Sequence, residues 1–247
     1  MSPCWLLLIG ALIGTTALLG ARIQYTPGVA HKGSYTVTEP HATTTSLSTV
    51  IFSDPLSQNI HSWPVGNLEG QTDFFKDDAY HITNQSSLAA VVLNQQNFPQ
   101  TTLSYQITME KITDDAASAI NMFGLLLRYN KQTIKGVQVI TFYVFGILNQ
   151  TGKSQYVLYK YDSSHASPWT PLGQTINAGK EFHSGHGPGA INTVKISVVN
   201  NAFTFSVNSQ SVGTATDTSP LKPGKIGMLV VLKGTEVAFS NLLLAKI

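Results

Sequence analysis

The sequence holds one cysteine, Cys4, and it lies within the first few residues. Everything C-terminal to it is therefore without a disulfide or a thiolate metal site. Charge is scarce too. Only 11% of the 247 residues are Asp, Glu, Lys or Arg, against about 25% in an ordinary soluble domain. The net charge is +2 and the basic residues are scattered, so nothing points to nucleic acid as a partner. Helical periodicity is nearly missing, and its best stretch, Asp114 to Ile120, is short. There is no internal repeat, no G-x-S-x-G elbow and no glycine-rich phosphate loop.

What is present begins with an uncharged run, Trp5 to Ala21. Its length falls between a signal-peptide core and a full membrane span. Residues 1–22 accordingly read as a signal anchor or a signal peptide. No basic residue precedes the run, while Arg22 and Lys32 follow it. Applied literally, the positive-inside rule would keep the remainder inside. The composition of that remainder, poor in charge and rich in Ser, Thr, Asn and Gln, instead favours an exterior domain. The expected location is the cell membrane, single-pass with the domain outside, or secretion. Residues 23–49, with Pro27, Gly28, Gly33, Pro40 and a Thr/Ser-rich stretch, show no apolar period. They read as a flexible linker that buries too little to offset its ordering entropy.

From Val50 onward the pattern is that of strands. Leu103, Tyr105, Ile107 and Met109 alternate with polar residues, and Val194, Ile196 and Val198 do the same. Phe123, Leu125, Leu127 and Tyr129 form a third alternating set, read as core-facing, which sends Arg128 to the opposite face. Val137 to Ile147 is apolar on both faces, as a central strand should be. Gln155 to Tyr161 follows, and Asn200-Asn201 marks a hairpin into Phe203, Phe205 and Val207. Ile226 to Leu232 and Val237 to Ile247 close the chain around Lys233-Gly234. The expected fold is all-β: a two-sheet antiparallel jelly-roll sandwich over residues 50–247, preceded by one N-terminal hydrophobic helix.

Several segments carry a family likeness in order and spacing. They are Phe52-Ser-Asp-Pro55, Trp63-Pro-Val-Gly66, Asp78-Ala-Tyr-His-Ile82, Phe123-Gly-Leu-Leu-Leu-Arg-Tyr129, Tyr143-Val-Phe-Gly-Ile147, Tyr156-Val-Leu-Tyr-Lys160, Asn192-Thr-Val-Lys195 with Phe205-Ser-Val-Asn208, Gly224-Lys-Ile-Gly227, and Val237-Ala-Phe-Ser-Asn241. Together they resemble exported bacterial domains of the concanavalin A-like lectin/glucanase superfamily. The 3-keto-disaccharide hydrolase-like and laminin G-like members are the most similar. The resemblance implies a jelly roll with a sugar-binding or sugar-cleaving groove. Two positions depart from it. Ser209 stands where such domains often carry Gly, and Ser240 stands where they carry Asp, which puts a structural calcium site in doubt. No cofactor is expected.

Glycosidases of this superfamily place their acids alternately on one strand, and a retaining pair stands about 5–5.5 Å apart. No two acidic residues here are spaced by two. Glu110 and Asp114 share strand parity, but four strand residues span roughly 13 Å. The adjacent pairs Asp77-Asp78 and Asp114-Asp115 read as turn acids. His183 and His186 lack a third nearby metal ligand. Polar and aromatic binding groups remain. Arg128 can donate hydrogen bonds to sugar hydroxyls or to a carboxylate, or it can be a plain surface residue. Gln106 is placed near it by strand parity, with Tyr143 or Lys160 nearby, although Tyr143 and Tyr159 could face either way. Trp169 would rim the groove and stack on a pyranose face, whereas Trp63 reads equally as a plug for the end of the sandwich. The reading is a non-catalytic glycan- or surface-ligand-binding module outside the cell. Its alternatives are a hydrolase or lyase acting on a modified (3-keto) disaccharide or other glycoside, and a structural envelope domain.

Overall fold

A computed structural model describes residues 48–113, 121–150 and 153–247. The N-terminal hydrophobic segment, nearly all of the linker and residues 114–120, the best helical candidate of the sequence, lie outside the described residues. In chain order the strands are β1 (Thr49–Asp54), β2 (Gly66–Leu68), β3 (Gln71–Lys76), β4 (Ala79–Asn84), β5 (Ala90–Leu93), β6 (Leu103–Lys111), β7 (Met122–Ile134), β8 (Val137–Gln150), β9 (Lys153–Asp162), β10 (Trp169–Pro171), β11 (Ile176–Asn177), β12 (Ile191–Val199), β13 (Ala202–Val207), β14 (Gln210–Thr216), β15 (Lys225–Val230) and β16 (Glu236–Lys246). The described residues hold no helix, and so none long and apolar enough to cross a membrane.

Two antiparallel sheets result. The larger runs β14-β13-β12-β6-β16-β4-β3-β2, with β1 also on β16. The smaller runs β10-β9-β8-β7-β15-β5, with β11 also on β9. The turn at Lys233-Gly234 carries the chain from one sheet to the other rather than closing a hairpin, because β15 lies in the smaller sheet and β16 in the larger. The alternating residues of β6 (Leu103, Tyr105, Ile107, Met109) and of β12 (Val194, Ile196, Val198) meet Phe123, Leu125, Leu127, Phe145 and Ile147 of the facing sheet in one core. Each such fully buried side chain contributes about 1.5–3 kcal/mol relative to exposure, so period-two patterning fixes both register and facing.

β7 breaks that pattern at one point. Its pairing with β8 slips between Leu127 and Asn130, and Arg128 adopts φ 52°. One residue too many is thus accommodated on β7, as in a β-bulge. Gly224 lies hard against it, since a Cβ there would come within 2.4 Å of the Tyr129 carbonyl oxygen. The Asn130 amide donates to the carbonyls of Arg128, Lys222 and Pro223. The bulge therefore has a backbone reason and a side-chain lock.

Candidate functional site

The bulge corrects the expected site. Simple alternation would put Arg128 outside and Tyr129 in the core. The structure does the reverse: Arg128 is 3% exposed and turns inward, while Tyr129 joins the apolar cluster on the outer face of the smaller sheet. The Arg128 guanidinium donates to the carbonyls of Leu221 (2.9 Å), Thr101 (2.8 Å) and Asn200 (3.1 Å). It also lies 6.0 Å from the ring centroid of Tyr143. Arg128 ties three loops together at one end of the sandwich, which a rigid fork of donors does well.

Tyr143 and Lys160 belong to that same interior end and not to a ligand face. Tyr143 is fully buried; its hydroxyl donates to Asp217 (2.8 Å) and accepts from the Leu221 amide (2.7 Å). Burial, reinforced by Asp217, pushes its phenol far above the ordinary range. Lys160 shares strand parity with the core residues Tyr156 and Leu158, and its ammonium sits 2.9 Å from Asp217. Burial opposes ionisation of Asp217, but Lys160, the Ser219 amide and Tyr143 outweigh it and hold the carboxyl low. Gln106 is corrected for a different reason. β6 lies in the larger sheet and β7 in the smaller, so Gln106 faces the opposite side of the molecule.

Trp169 does lie on the outer face of the smaller sheet, on its edge strand β10. Register pairs it with Tyr161, and pairs Tyr161 with Phe142. Phe142 stands across from the bulge that turns Tyr129 outward. The four rings form one row across four strands. Tyr129 and Phe142 stack with centroids 6.0 Å apart, and Phe142 and Tyr161 stack at 4.7 Å. Tyr161 and Trp169 meet edge-on at 4.8 Å. Tyr159 meets Trp169 edge-on from the next pair along, at 6.1 Å. Phe142 and Tyr161 are buried, whereas Tyr129, Tyr159 and Trp169 are half-buried. Burial raises the phenols of Tyr129 and Tyr159, so both stay neutral and keep a hydroxyl that donates and accepts.

Sequence reasoning missed Tyr129, Phe142 and Tyr161. The signal was there: β8 is apolar on both faces, and a second apolar face has to meet something.

The strands of the smaller sheet contribute a single carboxylate, Asp162, at the end of β9. It accepts from the Ser164 amide and hydroxyl and stands 3.4 Å from His165. Burial opposes its ionisation, but Ser164 and His165 together lower its pKa. Asp162 thus serves its own turn.

The larger sheet carries a different feature on its outer face. A cavity of about 570 Å³ is lined by Asp77, Asp78, Thr108, Glu110, Ser240 and Asn241, among others. Asp77 and Asp78 form the β3–β4 turn with φ 49° and 57°, as a two-residue hairpin turn requires. No group of three His, Cys, Asp or Glu among the described residues is placed to hold a metal ion. The ring of His183 contacts the carbonyl of Ile191 at 2.8 Å. Trp63 is an end plug, 3% exposed, with its ring nitrogen donating to Asp54 at 2.8 Å. Ser209 occupies a turn position with φ 67°, a backbone that glycine adopts without strain.

No protein-family model matches this chain, and no curated protein matches it significantly. Solved structures do. A Bacillus subtilis protein of unknown function with a galectin-like fold superposes with TM-score 0.56 at 11% identity, over 80% of this chain and 97% of that one. A legume lectin-like domain from Entamoeba histolytica gives 0.53 at 10%, over 72% and 88%. A Bacillus licheniformis β-glucanase gives 0.52 at 15%, over 82% and 99%. The fold is that of the concanavalin A-like lectins and glucanases. The finer likeness to 3-keto-disaccharide hydrolases is not carried by these structures.

Proposed function

We propose that this chain is an extracytoplasmic, non-catalytic glycan-binding module, held at the membrane through its N-terminal segment, and that its ligand lies on the outer face of the smaller sheet. The observation that carries this reading is the row Tyr129–Phe142–Tyr161–Trp169. A pyranose presents an apolar face that stacks on a flat ring, for which the half-buried Tyr129 and Trp169 are open, and hydroxyls at its edge that Tyr hydroxyls can meet, while Phe142 and Tyr161, buried and stacked on each other, hold the row together. The row crosses four adjacent strands, roughly 14 Å at about 4.8 Å per strand, and so suits an oligosaccharide rather than one sugar. The lectin-like and glucanase neighbours share this fold with proteins named for sugar chemistry.

The non-catalytic part rests on the acids. Two-carboxylate glycoside hydrolysis needs a pair of acids flanking the scissile bond, and the strands of this sheet supply only Asp162. The test is a glycan array probed with the full chain in a non-ionic detergent, followed by Trp169→Ala. Loss of one stacking ring lowers affinity for the hit about tenfold, on the order of 1–1.5 kcal/mol. Unchanged affinity in Trp169→Ala, or product released from the bound glycan, defeats the reading.

A further inference from the structure

The ring row does not end in apolar residues. Lys225 of β15 pairs in register with Tyr129. It alternates with Ile226, which is in the core, so it lies on the outer face beside Tyr129. Lys131 is the next outward residue after Tyr129 on β7, opposite Ile140, and it is exposed. Diagonal neighbours of this kind stand about 7–8 Å apart at their Cβ atoms, well within the span of two lysine stems. The row therefore reads Lys225, Tyr129, Phe142, Tyr161, Trp169, with Lys131 next to its cationic end.

Charge on this sheet is one-sided. Its strands carry Arg128, Lys131, Lys153, Lys160 and Lys225 against Asp162 alone. Arg128 and Lys160 are spent inside, on loop carbonyls and on Asp217. Asp162, next to Tyr161 on β9, is taken up by Ser164 and His165. Among the described residues, Lys131 and Lys225 make no ion pair.

Resting on the glycan-binding reading, we infer that the ligand is an anionic glycan. Its sugars stack on the half-buried Tyr129 and Trp169, and a sulfate ester or uronate carboxylate is held between Lys131 and Lys225. Both anions offer the same chemistry, several oxygens accepting charge-assisted hydrogen bonds from ammonium groups. A neutral glycan would leave two adjacent cations to repel each other, and an anion between them relieves that repulsion.

The full chain in non-ionic detergent is titrated with dextran, dextran sulfate and polygalacturonate at two salt concentrations. Three variants accompany it: Lys131→Ala/Lys225→Ala, the charge-matched control Lys195→Ala/Lys233→Ala on exposed sites elsewhere, and Trp169→Ala. The expected result is that at least one anionic polymer binds more than tenfold tighter than dextran. The preferred polymer then identifies the anion as sulfate or carboxylate. The Lys131/Lys225 variant should lose about tenfold for each charge-assisted contact removed, the control should lose little, and Trp169→Ala should weaken every binder. Two results overturn the inference alone: a neutral glycan bound as tightly as the charged ones, or equal losses in the two lysine variants; a polyanion bound unchanged by Trp169→Ala defeats the glycan reading and the inference with it. If a wider panel of neutral and acidic glycans gives no binder, the glycan reading itself fails and the inference falls with it.

Discussion

The two outer faces of this sandwich are built by the same alternation and have opposite character. On the smaller sheet the outward positions are Leu126, Tyr129, Phe142, Val144, Val157, Tyr161 and Leu229. On the larger sheet the facing pairs include Thr108 with Thr193, joined by a hydrogen bond between their hydroxyls, and Glu110 beside the acid-lined cavity. An antiparallel sheet may be wet on one side, and the larger sheet is. The smaller one is apolar on both sides, so its outer face calls for a partner in a way the other does not. The acid-lined cavity lies on the larger sheet and the ring row on the smaller.

The largest expected effect separates what holds the ring face from what the face does. Arg128→Met leaves three part-buried loop carbonyls without their donor, and a polar group left unsatisfied costs about 1–3 kcal/mol. Thermal unfolding should show that loss, while the folded fraction binds glycan as the wild type does. A variant of unchanged stability would show that Arg128 is no brace. A variant of normal stability that no longer binds would return Arg128 to the ligand.

A second test uses acidity, and two buried carboxylates give opposite signs. Asp73, on β3, is fully buried and is raised by burial to about 6 from 3.8, with Gln71 donating to it at 2.7 Å. Its folded state takes up a proton before its unfolded state does. The stability deficit it imposes at neutral pH therefore shrinks as pH falls through 6, and is gone below 3.8. Asp217 is held low, so its contribution is present at neutral pH and is lost on strong acidification. The stability of wild type minus that of Asp73→Asn should rise by about 2–3 kcal/mol between pH 7.5 and 4, as read by denaturant titration. A flat difference would mean that Asp73 is solvated. The prediction also sharpens the contrast of faces, because the pH response is rooted in the larger sheet and glycan affinity should not follow it.

The smallest effect is the most pointed. Glu110→Gln and Asp78→Asn, both on the cavity of the larger sheet, should change glycan affinity by less than about 0.5 kcal/mol, the usual size of a surface change. A tenfold loss in either would move the site to the other side of the molecule.

Most of the fold was legible in the sequence, because burying one face of each strand leaves a mark every second residue. β6, β12 and β13 follow that mark, and β8 announces its central place by being apolar on both faces. The site was legible only in part. Trp169 lies on the outer face of the smaller sheet. Arg128 does not, because the inference that put it outside carried alternation straight through a residue with φ 52°; Tyr143, whose facing the strand pattern left open, faces the core. Arginine gives no local sign of a left-handed backbone, as glycine or asparagine would. The reason lies far along the chain, in Gly224 and the loop carbonyls that Asn130 and Arg128 reach. Gln106 was misplaced because one strand's parity says nothing about which sheet the strand joins.

The bulge on β7 also bears on how this strand can change length. Up to Leu127 the odd-numbered residues face inward; from Arg128 the even-numbered ones do. Arg128 is in effect the supernumerary residue. Deleting it alone would straighten β7, yet leave Leu127 inside and Tyr129 and Lys131 outside. A deletion farther up the strand, at Leu125 for example, would turn the residues between the cut and the bulge to the wrong face. Codon loss is therefore best absorbed at the bulge and more harmful several residues before it. A chain shortened at the bulge would give up its internal brace while keeping the ring row in register.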